Sequence, residues 1–422
     1  MSITPPPNTA GGEVALAKQG TVSSAAEEVH AARTLADSLP PTDEEILSVE
    51  NLTVEFPTDD GVVKAVRGVS YRLRAREVLG IVGESGSGKS VSSMAVMGLL
   101  PKSARVTGSI RYRGTDLLAM RPKERRALRG RNIAMIFQDP MTSLNPVRTI
   151  GDQLAEAVLA HHLVPRKQAM KRAREMLDLV GIPQADKRLR AYPHEFSGGM
   201  RQRVMIAMAI INDPDVIIAD EPTTALDVTV QAQILEKLLE VKDQVNAAIL
   251  MITHDLGVIA GMAHRTLVMY AGKPVEVGET DEVFYGPRMP YTAGLLGSIP
   301  SLEGEREERL RPIAGTPPSL IFLPPGCPFS PRCPLATEEC TAAEPPLAPV
   351  ASGAESGDGG DGTQVHLAAC HHSDRLAAAD DPTEFFRPDA EAGPAAGPDS
   401  GTGDSGDAGT TDQTSSESEE GR

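Results

Sequence analysis

Four short apolar runs punctuate the middle of the chain, at residues 78–82, 133–137, 216–219 and 249–253. None alternates with polar residues, so each predicts a strand buried on both faces, as in a parallel sheet packed inside an α/β fold. A fifth strand reads differently, because Leu52, Val54 and Phe56 alternate and share one face. Helical patterning follows at 91–100 and 204–211, and two further helices are predicted at 150–162 and 167–180. The richest apolar stretches are interrupted by Asn212-Asp213-Pro214-Asp215 and by His254-Asp255, so no run of 18 or more apolar residues exists. No charged-then-apolar leader opens the sequence either, and the expectation is a soluble cytoplasmic chain whose membrane role would come through partners.

Each buried run ends in residues that carry chemistry. Run 78–82 leads into Gly83-Glu84-Ser85-Gly86-Ser87-Gly88-Lys89-Ser90, which fits the G-x-x-x-x-G-K-[ST] phosphate loop. In such a loop Gly83, Gly86 and Gly88 let backbone N–H groups turn inward with Ser85, Lys89 reaches the β and γ oxygens, and Ser90 holds Mg²⁺. Run 216–219 ends in Asp220 and Glu221, suited to Mg²⁺ and to an attacking water, although an acidic pair before Pro222-Thr223-Thr224 can also cap the next helix. Ser197-Gly198-Gly199 opens another helix and forms a second anion-seeking N-terminus. Gln138 and His254 follow the two remaining runs, where either could be an ordinary strand end or helix cap.

Taken in order, these segments resemble the ATP-binding cassette (ABC) ATPases over residues 46 to about 287. Ser197 to Met200 resembles the signature sequence, Phe56 the aromatic that stacks on adenine, Gln138 the Q-loop glutamine, Ala225-Leu226-Asp227 the D-loop, and His254 the switch histidine. Met200 stands where the signature usually has glutamine. The resemblance implies a P-loop NTPase cassette with a RecA-like core, an antiparallel β subdomain and a helical subdomain. It implies ATP and Mg²⁺ as ligands, Glu221, His254 and Gln138 as catalytic groups with Ser90, Gln138 and Asp220 holding Mg²⁺, and a nucleotide completed by Ser197 to Gly199 of another cassette. The second cassette would be a homologous ATPase or another copy.

Residues 139–146 resemble the Q-loop of dipeptide and oligopeptide importers, and Tyr291-Thr292-Ala293-Gly294-Leu295-Leu296 and 313–318 resemble their C-terminal extension. The narrower resemblance implies two transmembrane permease subunits, an extracytoplasmic solute-binding protein and a place on the cytoplasmic face of the membrane. Nickel or another solute is the alternative cargo. A non-transport ABC ATPase would need a coiled-coil insertion, zinc modules within the cassette or a second cassette, none of which is in this sequence.

Domain limits follow: a disordered 1–44, the cassette at 45–287 with its helical subdomain at about 139–196, the extension at 288–373, and an acidic disordered tail at 374–422. The tail holds 13 acids and 3 bases, so it supplies most of the chain's net charge of −17 and argues against nucleic-acid binding by that segment. All four cysteines, Cys327, Cys333, Cys340 and Cys370, lie in the extension. In a cytoplasmic protein such clustering favours metal ligands over disulfides, and four thiolates suit an iron–sulfur cluster or zinc, with free thiols the remaining option. The importer resemblance implies a [4Fe–4S] cluster; His371 and His372 are bystanders or substitute ligands, and 351–362 is a flexible loop between the third and fourth cysteines.

Overall fold

The computed structural model describes residues 40–224, 226–299, 313–350 and 365–386. Its strands in chain order are β1 Glu45–Thr58, β2 Gly61–Arg74, β3 Val78–Val82, β4 Arg105–Tyr112, β5 Thr115–Asp116, β6 Ile133–Ile136, β7 Val216–Asp220, β8 Ala248–Thr253, β9 Arg265–Tyr270, β10 Lys273–Glu279, β11 Ala348–Pro349 and β12 Leu367–Ala368. Long β1 and β2 form a hairpin, and with β4 and β5 they build an antiparallel sheet in the order β2-β1-β4-β5. The larger sheet runs β11-β12-β10-β9-β3-β8-β7-β6. Its centre, β9 to β6, is parallel, and β10, β12 and β11 continue it as an antiparallel edge.

The apolar runs are unalternating because both faces of this sheet are covered. Ile217, Ala219, Ile249 and Met251 point into one core with the helices, while Val216, Ile218, Leu250 and Ile252 point into a second core shared with the β subdomain. All eight are fully buried, so shortening one, Ile218→Ala for instance, would cost about 2–5 kcal/mol. The predicted helices form at Ile150–Leu159 and Arg166–Leu179. The helix expected at 91–100 instead runs Lys89–Met97, starting within the phosphate-loop pattern, whose last two residues open its first turn, and ending where Gly98 turns left-handed at φ 60°.

Parallel strands deliver their C-terminal ends to one edge. In the spatial order β3-β8-β7-β6, the residues that follow are the Gly83–Ser90 loop, His254, Glu221 and Gln138. Residues 138, 221 and 254 are far apart in the sequence; the strand order alone makes them neighbours.

The limits of the folded region differ from the sequence expectation at both ends. Thr42 and Glu44 exchange backbone hydrogen bonds with Ala75. Beyond 373, the turn of helix Ser373–Ala377 and the 3₁₀ turn Pro382–Phe386 are formed, and Leu376 packs with Ala293 and Leu335. The acidic composition masked Leu376, Phe385 and Phe386, few in number but sufficient to anchor the segment. Nor does the extension stand apart: β12 pairs with β10, Ala369 donates to Val275 O, and buried His366 Nε2 lies 2.8 Å from Glu276 Oε1. Two-residue strands leave no periodicity to read in the sequence. Residues 1–39, 387–422 and the expected loop at 351–362 lie outside the described residues, as does Ala225.

Candidate functional site

The loop after β3 adopts its shape through glycine. Gly83, Gly86 and Gly88 have φ of 150°, 79° and 99°. A Cβ on Gly88 would stand 2.3 Å from Ala65 O, and one on Gly83 would stand 2.2 Å from Met269 O, so neither position accepts a side chain. The helix Lys89–Met97 that follows points its N-terminus at the loop, with Gly88 at its cap.

Lys89 is 4% exposed, and its Nζ donates to Gly83 O at 2.6 Å and Glu84 O at 2.9 Å. Burial lowers its pKa from the ordinary lysine value, opposed by the negative field of Glu221, Asp220 and Glu84. Ser90 Oγ donates to Asp220 Oδ1 at 2.8 Å. The Asp220 carboxyl is raised, first by burial and then by neighbouring Glu221, with Ser90 and Lys89 pulling the other way. Two crowded carboxylates beside a serine hydroxyl fit a hard, oxygen-seeking cation such as Mg²⁺, which would relieve their mutual repulsion.

Glu221 follows β7, between the strand ends that lead to His254 and Gln138. Its Oε2 accepts from Gln138 Nε2 and from Thr224 Oγ1, both at 2.9 Å, and its Oε1 lies 3.2 Å from His254 Nδ1. Its backbone is held at φ 48°, a left-handed conformation that costs a non-glycine residue about 1–2 kcal/mol. The Glu221 N–H donates to Ile252 O at 2.8 Å, which fixes the turn to β8. Thus Gln138, Glu221 and His254 are brought into one hydrogen-bonded group beside the Ser90–Asp220 pair. Thr224 joins it too, a contact the sequence reading missed because a threonine in a turn carries no spacing signal.

The other predicted residues stand apart from this group. Ser197 caps helix Gly198–Ile210, its Oγ accepting from Met200 N at 3.4 Å. A Cβ on Gly199 would approach Val230 to 2.8 Å, and one on Gly198 would touch Leu226, so this turn lies against the start of the next helix. Asp227 caps that helix, Val228–Val245, by accepting from Val230 N at 3.0 Å. Among the described residues no hydrogen bond joins Ser197, Gly198, Gly199 or Asp227 to the Gly83–Ser90 loop. Met200 packs against the helical core, and Phe56 is half-buried against the β-subdomain core.

Cys327, Cys333, Cys340 and Cys370 are free thiols that line one small pocket together with His371 and His372. Burial, and secondarily their own proximity, pushes Cys333 up to about 12 and Cys370 up to about 11. Among the described residues, however, no group of three or more His, Cys, Asp or Glu is gathered closely enough to hold a metal ion. The same extension reaches the phosphate loop: Arg332 forms a bidentate ion pair with Glu84, and Tyr291 Oη accepts from the Glu84 N–H. Neither contact is signalled by spacing, since 248 and 207 residues separate the partners.

Comparison with known proteins agrees with this architecture. Residues 66–224 match the family model described as ABC transporter, and residues 275–340 match that described as oligopeptide/dipeptide transporter, C-terminal region. The chain is 56% identical over 304 residues to the dipeptide transport ATP-binding protein DppD of Bacillus subtilis, covering 72% of this chain and 90% of that one. It is 53% identical over 300 residues to the oligopeptide transport ATP-binding protein OppD of Escherichia coli, covering 71% and 89%. Against OppD of Mycobacterium tuberculosis the identity is 53% over 352 residues, 83% of this chain but 55% of that protein, so the chain spans about half the length of this relative. In fold it is similar to a dimeric ATP-binding cassette, MJ0796, bound to ADP and Pi, with a TM-score of 0.51 and 24% identity over 56% of this chain and 99% of that one. With a phosphate loop on β3, a carboxylate group on the adjoining strand ends and relatives at this level of identity, the chain belongs to the ABC transporter family, among the ATP-binding proteins of oligopeptide and dipeptide transport.

Proposed function

We propose that the chain hydrolyses Mg-ATP and couples that reaction to uptake of dipeptides or oligopeptides through partner permeases at the cytoplasmic face of the membrane. The observation that carries this reading is the convergence of Gln138, Glu221 and His254 beside Ser90, Asp220 and Lys89. Phosphoryl transfer needs little covalent chemistry from a protein; it needs positioned charge and an oriented nucleophile. Glu221 orients the attacking water, His254 contacts the γ-phosphate, and Lys89 neutralises charge on the β and γ oxygens. Ser90, Asp220 and Gln138 would hold Mg²⁺, which supplies further charge neutralisation.

Ser197, Gly198 and Gly199 complete the nucleotide of a second cassette, and Asp227 lies at that same interface. Among the described residues no hydrogen bond joins them to the Lys89 loop, which supports this division, and the cassette MJ0796, similar in fold, is described as dimeric. Phe56 stacks on the adenine. Around Gln138, Phe137, Met141 and Val147 expose large apolar side chains, Val147 at 79%. Such a patch suits docking of a membrane partner, and no helix among the described residues is long and apolar enough to cross a membrane. A solute-binding protein would deliver the peptide outside. The test is purification of the chain with its membrane partners followed by paired assays of Mg-ATP hydrolysis and labelled-peptide uptake. Both activities are expected; ATP hydrolysis coupled to nickel uptake without peptide uptake would overturn the cargo, and absence of hydrolysis would overturn the mechanism.

For the extension we propose a [4Fe–4S] cluster on Cys327, Cys333, Cys340 and Cys370. The shared pocket and the absence of disulfides support it, and the four thiols would have to draw around the cluster and lose their protons as it is assembled. Iron and sulfide analysis of anaerobically purified chain is expected to give about four of each per chain. Zinc in their place, or neither metal, would contradict the assignment.

A further inference from the structure

We infer that Arg332 and Tyr291, both from the C-terminal extension, are positioning residues of the nucleotide site, holding the phosphate loop in its binding form through Glu84. The inference rests on the loop being the ATP site. Glu84 is the second residue of that loop, and a carboxylate there repels the phosphates the loop must accept unless a cation pairs with it. Arg332 supplies the cation: Nη1 lies 2.6 Å from Glu84 Oε2 and Nη2 lies 2.8 Å from Oε1. This two-pronged geometry is specific to guanidinium.

The guanidinium is itself fixed by protein groups other than Glu84. Its side chain is 5% exposed, Nε donates to Ala314 O at 3.0 Å, and Nη1 lies 3.3 Å from Tyr270 Oη. It also sits over the rings of Tyr270 and Phe329, at 5.9 and 5.8 Å from their centroids. Meanwhile the fully buried Tyr291 accepts the Glu84 N–H at 2.7 Å, and Lys89 donates to Glu84 O at 2.9 Å. Glu84 is therefore held at its side chain, its N–H and its carbonyl, two of the three holds coming from the extension. The carbonyl hold is shared with the lysine that must reach the phosphates, so displacement of Glu84 displaces Lys89 with it.

A purely mechanical staple between extension and cassette would use the same contacts, and a double-mutant cycle separates the two roles. Mg-ATP binding is measured by calorimetry on the full chain, its Glu84→Gln variant, its Arg332→Ala variant and the double variant. Arg332→Ala is expected to raise the Kd about tenfold or more in the parent, because the loss leaves a charge unpaired. In the Glu84→Gln background the same change is expected to cost less than about threefold, because no charge remains to be neutralised. Equal losses in both backgrounds, or no loss in either, would overturn the inference. Tyr291→Phe removes one hydroxyl from the aromatic cluster and serves if Arg332→Ala fails to fold. A Kd rise of about threefold or more is expected at a temperature well below the unfolding transition, where the loss of one buried hydrogen bond leaves the chain folded, and an unchanged Kd would overturn the role of Tyr291. Failure of the parent chain itself to bind Mg-ATP would instead overturn the ATP reading, and this inference with it.

Discussion

Glu221→Gln is expected to lower steady-state ATP turnover by about 10²–10³-fold while leaving Mg-ATP affinity within a few-fold of the parent. The amide keeps the shape of the side chain and an oxygen that can still accept from Gln138 or Thr224, so the left-handed turn at φ 48° has no new reason to collapse. What disappears is the carboxylate that faces His254 at 3.2 Å. Affinity is expected to be largely preserved because, in the proposed mechanism, the loop and Lys89 would supply the phosphate contacts, and the hydrogen-bonded Ser90–Asp220 pair is left untouched for the cation. Phosphate release in a coupled assay, paired with calorimetric Mg-ATP binding, measures both quantities. Turnover near the parent's would move the catalytic role away from Glu221.

Lys89→Ala is expected to weaken Mg-ATP binding by roughly 10- to 100-fold, the cost of losing charge-assisted contacts in a desolvated site. The substitution also removes the cation that opposes the rise of the Asp220 carboxyl. Asp220 would then rise further, since burial and Glu221 both act in that direction. A higher pKa means the carboxylate proposed to hold Mg²⁺ would be protonated sooner as pH falls. The acid limb of residual Mg²⁺-dependent binding is therefore expected to move toward neutrality relative to the parent. Titrations of Mg-ATP binding across acidic pH check the sign, and an acid limb displaced to lower pH would contradict it.

What the sequence could tell was set by burial and by distance along the chain. Strands at 78–82 and 216–220 were legible because a parallel sheet covered on both faces forces continuous apolar runs. The loop at Gly83–Ser90 was legible because its glycines meet backbone demands that other residues fail. Gln138 and His254 were readable only through family resemblance, for their meeting at Glu221 depends on β6, β7 and β8 lying side by side. The reach of the extension was hidden for a related reason: β11 and β12 are two residues each, and Arg332 finds Glu84 through tertiary packing alone. One local clue did exist, since a glutamate inside an anion-binding loop calls for a counter-charge. Leu376 and Phe386 were overlooked because a strongly acidic composition can still contain enough apolar residues to anchor its first turns.

The most direct test of Glu221 as the group that acts on bound nucleotide is a single-turnover experiment on the transporter assembled with its partners, preloaded with ATP labelled at the γ-phosphate and started with Mg²⁺. Parent chain is predicted to release labelled phosphate, whereas the Glu221→Gln chain is predicted to retain intact ATP. Release from Glu221→Gln at the parent's rate would contradict the assignment.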